Sequence, residues 1–86
     1  MKVKLKNVNS PTQYEVTIGL IELYFSYETC VGFYAPGEGT VVSENVWSTT
    51  TGKHLNYWQS DKTKRVKHDE FQTRLEAVLA KIDIKH

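Results

Sequence analysis

The chain has 86 residues, which is enough for one domain with a single hydrophobic core and too few for two. With 40% hydrophobic residues, five glycines and two prolines, its composition excludes a disordered, collagen-like or low-complexity chain. The net charge of +1 at pH 7 neither requires nor excludes a polyanionic partner.

Cysteine content and hydropathy suggest the compartment. The single cysteine, Cys30, can form neither an intramolecular disulfide nor a thiolate zinc site. Met1 opens an alternation of lysines and apolar residues, unlike a signal peptide, and no segment approaches the roughly 18 consecutive apolar residues of a membrane span. We therefore expect a cytoplasmic protein without membrane contact.

Alternation of polar and apolar residues predicts β-strands in the first half of the chain. Residues 1–7 alternate lysines with Val3 and Leu5, which predicts a half-buried strand at a sheet edge. A second alternation, with apolar residues at 14, 16, 18 and 20, predicts another strand, and the phase of the alternation changes at Gly19, where we expect a bulge or bend. The aromatic-rich run 20–27 that follows is expected to be the central strand.

Two further strands, 29–35 and 40–47, are predicted to form a hairpin. Residues 35–39 between them contain a proline and two glycines, which are typical of a turn. No alternation of strands and helices precedes this point, so we expect an antiparallel sheet.

Helical periodicity appears in the second half. Thr51, Leu55 and Trp58 repeat at i, i+4 and i+7, which predicts a short helix near 51–59 capped at about Thr50. This helix is brief, so it must lean on the sheet to be stable.

A C-terminal amphipathic helix is predicted near 69–83. Asp69 and Gln72 match a capping box, and Glu70 and Arg74 form a favourable i, i+4 pair. The apolar stripe of this helix consists of Phe71, Leu75, Val78, Leu79 and Ile82.

These elements predict an α+β fold in a single domain, residues 1–86. An antiparallel sheet of four to five strands comes first, and the C-terminal helix packs on one of its faces. The strand residues expected under that helix are Leu23, Phe25, Val31 and Phe33.

No set of residues favours catalysis or metal binding. Cys30, His54 and Asp61 would supply a nucleophile, a base and an acid, but Cys30 lies in a predicted strand with no activating neighbours. The three histidines are far apart, and no ligand set with metal-binding spacing includes them. We therefore expect a non-enzymatic protein with no metal and no cofactor.

A basic cluster separates the two predicted helices. The last 25 residues hold seven lysines and arginines against four acids, whereas the first 61 hold four against six. Basic residues close to Tyr57 and Trp58 suit the gripping of phosphates with stacking of bases, although a solvated connector is the simpler interpretation. The candidate nucleic-acid-binding residues are Lys62, Lys64, Arg65 and Lys67.

Surplus aromatic residues favour a protein interface. Five tyrosines and two tryptophans are more than one small core accommodates, and such side chains are usual interface anchors. The alternative is a second, minor core under the short helix. The candidate partner-binding residues are Lys53, Asn56, Tyr57 and Trp58. A homodimer is another use of such a surface.

Residues 23–58 carry a distinctive pattern. It reads Leu23-x-x-Ser26-Tyr27-x-Thr29-x-Val31, then a glycine turn and a strand, then Trp47-Ser48-x-Thr50-Thr51-Gly52-Lys53-His54-Leu55-Asn56-x-Trp58. This pattern resembles a family of small uncharacterised proteins carried by phages, plasmids and archaeal mobile elements, which commonly have Ala at position 32 and Ser at position 52. The resemblance implies a mobile-element product working in a host cell, and it implies no activity.

Within this pattern, Thr50, His54 and Trp58 share one helix face. We expect His54 to be structural, with a hydrogen bond toward Thr50 or a strand carbonyl, while Lys53 and Asn56 point outward. The sequence thus favours a non-enzymatic binding protein of a phage or mobile element that acts on host machinery by protein–protein contact. An anti-defence inhibitor is the most concrete version, and an accessory nucleic-acid-binding protein is the alternative.

Overall fold

The computed structural model describes residues 3–82. Within that range it has the strands β1 (Val3–Asn7), β2 (Gln13–Ile18), β3 (Ile21–Ser26), β4 (Thr29–Ala35) and β5 (Gly39–Val42) and the helices α1 (Thr49–Trp58) and α2 (His68–Ala80), with a short 3-10 helix (Lys62–Lys64) between α1 and α2. The strands form an antiparallel sheet in the order β1-β2-β3-β4-β5. The predicted α+β fold and the central place of the aromatic-rich strand are confirmed. The predicted helix end at residue 83 lies outside the described residues.

The phase change at Gly19 corresponds to the turn between β2 and β3. Gly19, with a φ of +61°, forms the turn from β2 to β3 together with the next residue, so the phase change is a hairpin turn and not a bulge within a strand. The register irregularity lies instead between β3 and β4, where Val31 is the extra residue next to the Phe25–Cys30 pair.

The two helices pack on opposite faces of the sheet. Cross-strand pairing places Val16, Leu23, Phe33 and Val41 on one face and Glu15, Tyr24, Gly32 and Val42 on the other. The first face packs against α2 and the second against α1. The sequence predicted one face covered by α2, and it wrongly placed Val31 there, because the bulge turns this side chain toward α1.

The stripe that α2 buries is narrower than predicted, since Leu79 is 43% exposed. Arg74 at the rim pairs with Glu70 at 3.1 Å, as predicted, and also with Glu38 in the β4–β5 turn at 3.1 Å. The buried residues of α2 are Phe71, Leu75 and Val78.

The capping box predicted from Asp69 and Gln72 does not form. The Asp69 carboxylate accepts a hydrogen bond from the next backbone N–H, and the residue at the N-cap makes no side-chain cap. Glu44 supplies the cap instead, since its Oε2 accepts a hydrogen bond from the His68 N–H at 2.9 Å. A carboxylate from a distant loop therefore satisfies the start of α2, where the helix dipole favours negative charge.

The two edges of the sheet differ. At the β5 edge, the Val66 N–H donates to the Val42 carbonyl at 2.9 Å, and the Glu44 N–H donates to the Val66 carbonyl at 2.7 Å. The outer edge of β1 has no backbone partner within residues 3–82. Its edge position is confirmed, but the prediction of half-burial is wrong, since Val3 is 59% and Leu5 70% exposed. No helix in the described part of the chain is long and apolar enough to cross a membrane.

Candidate partner-binding cleft

A polar cleft of about 440 Å³ lies between α1 and the 3-10 helix. It combines two residues predicted to bind a partner, Lys53 and Asn56, with two predicted to bind nucleic acid, Lys62 and Arg65. Three of these four side chains are cationic, and Glu44 supplies an acidic group at the same cleft. The cleft therefore presents a local excess of positive charge suited to an anionic group.

Arg65 fixes the geometry of the cleft. Its Nε and Nη2 donate to the Gln59 carbonyl at 3.1 and 2.9 Å, and Nη2 also donates to Asn56 Oδ1 at 2.7 Å. The guanidinium thus satisfies a carbonyl at the end of α1, where the helix dipole favours a cation. Lys53 and Lys62 are exposed and make no ion pair within the described residues, so their ammonium groups remain available to a ligand.

Gly52 allows the loop before α1 to approach the helix closely. A Cβ atom at this position would lie 2.9 Å from Asn45 Nδ2. The Asn45 amide in turn organises the loop, because Nδ2 donates to the Ser48 carbonyl and Oδ1 accepts from the Trp47 N–H, both at 3.0 Å. A side chain at position 52 would therefore displace the Asn45 amide that organises this loop.

A buried hydrogen-bond network attaches α1 to the sheet. Ser48 is the N-cap, and its Oγ accepts from the Thr51 N–H at 3.2 Å. Thr51 Oγ1 lies 3.0 Å from Ser26 Oγ, which lies 2.6 Å from His54 Nδ1. His54 Nε2 lies 3.3 Å from Ser10 Oγ. The Ser-Tyr-x-Thr strand and the helix start of the sequence pattern therefore meet in one network.

This network gives His54 a structural position, as predicted. His54 is 3% exposed, and the partners of its ring are the Ser26 and Ser10 hydroxyls instead of Thr50 or a strand carbonyl. The N-cap at Ser48 likewise stands two residues before the predicted position. Because neither Ser26 nor His54 lines the cleft, this hydroxyl–imidazole pair holds the helix in place and leaves ligand contact to the exposed side chains.

Burial lowers the pKa of His54 below its ordinary value of 6.5. The unfolded chain then binds a proton more readily, so the stability from neutral His54 is complete above pH 6.5 and is lost as pH falls toward the lower folded-state pKa. We expect urea denaturation between about pH 7.5 and 5.5 to show a steeper fall in unfolding free energy for the wild type than for His54→Gln. Equal slopes would contradict this role.

The two aromatic residues predicted to bind a partner, Tyr57 and Trp58, contact each other edge to face with ring centroids 5.9 Å apart, but they differ in exposure. Trp58 stacks on Tyr24 with ring centroids 5.0 Å apart, and its Nε1–H donates to Glu15 Oε2 at 2.8 Å. A Cβ atom at Gly32 would lie 3.1 Å from Tyr24 Cδ2, so the glycine lets the Tyr24 ring lie close to the backbone of β4. Tyr57 is 51% exposed and is the member that faces solvent. The minor core weighed as an alternative is present and contains Val31, Val42 and Leu55, with Trp47 and Trp58 packed against it.

The remaining candidates lie outside the cleft. Lys64 and Lys67 are exposed but do not line it. Cys30 packs at the margin of the α2 face, its Sγ donates to the Gly32 carbonyl at 3.3 Å, and burial raises its pKa to about 11. His54 lies on the opposite face, so no thiol–imidazole pair forms. No group of three metal-ligating residues occurs within residues 3–82.

A family model matches residues 3–73, which include the sheet, α1 and the start of α2. The chain belongs to DUF8033, a family of unknown function. No curated protein and no solved structure matches the chain.

In this DUF8033 chain, sequence reasoning missed two residues that shape the site. Ser26 belongs to the sequence pattern of residues 23–58, and a hydroxyl near the end of the apolar central strand is the signal that indicates a buried hydrogen bond there. Glu44 lines the cleft and caps α2, but a lone acid in a loop gives no local signal of either role.

Proposed function

We propose that this chain is a non-enzymatic binding protein of a phage or another mobile element that contacts host machinery through its cationic cleft. The ligand we assign to the cleft is a carboxylate cluster on a partner protein. The observation that carries this proposal is the grouping of Lys53, Lys62 and Arg65 around Asn56 on one surface. The resemblance to mobile-element proteins supports the host-cell context, the cytoplasmic setting and the narrower idea of an anti-defence inhibitor.

The distribution of charge favours a protein over a nucleic acid. Phosphate-backbone binding uses cations spaced along a track, whereas here the cations converge on one cleft that also contains Glu44. Lys64 and Lys67 lie outside it, and the net charge of the whole chain is only +1. Tyr57, exposed on the same helix, adds the aromatic contact area typical of protein interfaces.

We expect a fluorescent peptide of about six glutamates to bind the protein. A Lys53→Ala, Lys62→Ala double variant should bind this peptide about tenfold more weakly, because it loses the binding free energy of two partly exposed ion pairs. The double variant Lys64→Ala, Lys67→Ala removes the same charge outside the cleft and should stay within about twofold of the wild type. Fluorescence anisotropy measures both. Equal losses in the two variants, or no binding by the wild type, would contradict the proposal.

The accessory nucleic-acid-binding hypothesis makes a different prediction for the same assay. A single-stranded oligonucleotide of about 12 nucleotides would then bind more tightly than the peptide, with affinity that falls steeply as salt rises. Removing Lys64 and Lys67 would flatten that salt dependence. This result would mean that the protein binds phosphates and not a carboxylate cluster.

A further inference from the structure

We propose that the outer edge of β1 accepts an extended segment of a partner protein in which acidic and apolar residues alternate. This surface lies apart from the cleft and goes beyond the function proposed for it. All five residues of β1 are exposed. Such an edge presents a row of backbone N–H and C=O groups to an added strand.

Within residues 3–82, the β5 edge of the sheet is partly covered and the β1 edge is not. At the opposite edge, Val66 pairs with the chain beside β5 through hydrogen bonds of 2.7 and 2.9 Å. The outer edge of β1 has no such partner within residues 3–82. An added strand would therefore extend the sheet at β1.

The two faces of β1 specify the chemistry of that strand. Val3 and Leu5 lie on the face that packs against α2, and Lys4 and Lys6 lie on the α1 face. Neither lysine makes an ion pair within the described residues, and Glu15, the cross-strand neighbour of Lys6, accepts a hydrogen bond from the Trp58 indole. Directly opposite residues of paired strands share a face, so acidic residues would meet the lysines and apolar residues would meet Leu5.

A groove beside β1 gives the apolar residues of the incoming segment a place to pack. It has a volume of about 240 Å³ and is open because the core under α2 is built on β3, β4 and β5. Lysines on a solvated strand face can protect an edge from pairing, but here the other face exposes an apolar surface next to a groove. Its lining residues are Leu5, Tyr14, Val16, Phe25, Tyr27 and Glu28.

Charge argues against a second copy of this chain as the occupant. An antiparallel pair centred on Leu5 that keeps both apolar faces on one side places Lys4 of one copy opposite Lys6 of the other. If the register of this pair shifts by one residue, the lysines of one copy lie directly opposite the apolar residues of the other. A different chain with carboxylates at alternate positions would attract Lys4 and Lys6, whereas a second copy would repel them.

The test uses three synthetic peptides of about seven residues: alternating Val and Glu, the same composition with the glutamates in one block, and alternating Val and Lys. Titration of isotope-labelled protein by NMR reports both affinity and location. We expect the alternating acidic peptide to bind at least about fivefold more tightly than either of the others, with shifts at residues 3–7 and along the groove.

Two variants separate this surface from the cleft. Lys4→Glu, Lys6→Glu should transfer the preference at residues 3–7 to the Val–Lys peptide, whereas Lys53→Ala, Lys62→Ala should leave unchanged the shifts that the alternating acidic peptide causes at residues 3–7. The proposal is overturned if the alternating and blocked acidic peptides bind equally, if the shifts lie only at the cleft, or if none of the peptides binds. Sedimentation that reveals a dimer dispersed by Leu5→Lys would also overturn it, because a second copy would then occupy the edge.

Discussion

Replacing Phe71 by alanine should lower the free energy of unfolding by about 3–5 kcal/mol. The ring is fully buried in α2 and lies 5.9 Å, between centroids, from the ring of Phe33 on the sheet. Its loss leaves a cavity between α2 and the strands. A chain of this size has a total stability of about 4–13 kcal/mol, so the loss takes away about a quarter of that stability at the least and all of it at the most. Urea denaturation followed by circular dichroism measures the change.

Leu79→Ala is the matched control for this prediction. Leu79 lies on the same helix, but its side chain is 43% exposed, so we expect a loss below about 1 kcal/mol. Similar losses at the two positions would mean that α2 does not pack through Phe71.

Replacing His54 by alanine should have the second-largest effect, a loss of about 2–4 kcal/mol. The substitution removes a buried ring and leaves the Ser26 and Ser10 hydroxyls without their imidazole partner. Because α1 carries Lys53 and Asn56, its displacement should also weaken binding of the glutamate peptide. Chemical denaturation and anisotropy measure the two effects on the same samples.

The neighbouring residue provides the comparison. Lys53 is exposed, so Lys53→Ala should change stability by less than about 0.5 kcal/mol while it weakens peptide binding. A His54→Ala variant as stable as Lys53→Ala would show that the buried network does not anchor α1.

Local periodicity was sufficient to predict most of the elements. The strand predicted at 29–35 has those bounds in the structure, and the C-terminal helix begins one residue before its predicted start. Alternation with period two records which residues share a face, and a stripe with helical spacing records which side of a helix is apolar. Both signals lie within a few neighbouring residues.

The part of each sheet face that a helix covers was not predictable from local spacing. Val3 and Leu5 share a face, as their spacing indicates, yet that face is open at β1 because α2 packs over the other half of the sheet. Spacing within one strand carries no information about where a helix that begins 61 positions after the end of that strand will lie.

The candidate site depends on contacts between distant segments. Ser26 and His54 are 28 positions apart, and Glu44 caps a helix that begins 24 positions later. The local motif predicted that Asp69 caps α2, but Glu44, from a distant loop, accepts the capping hydrogen bond instead. The residue types were visible in the sequence, but their grouping follows from the sheet and from the path of the connector.

The most direct test of the cleft is an NMR titration of isotope-labelled protein with the peptide of about six glutamates. Our account predicts that the largest shifts occur at residues 52–56 and 62–65 and at the Asn56 side-chain amide, and that they shrink in Lys53→Ala, Lys62→Ala. Shifts distributed along the surface lysines without a maximum at these residues, or shifts unchanged in that variant, would contradict it.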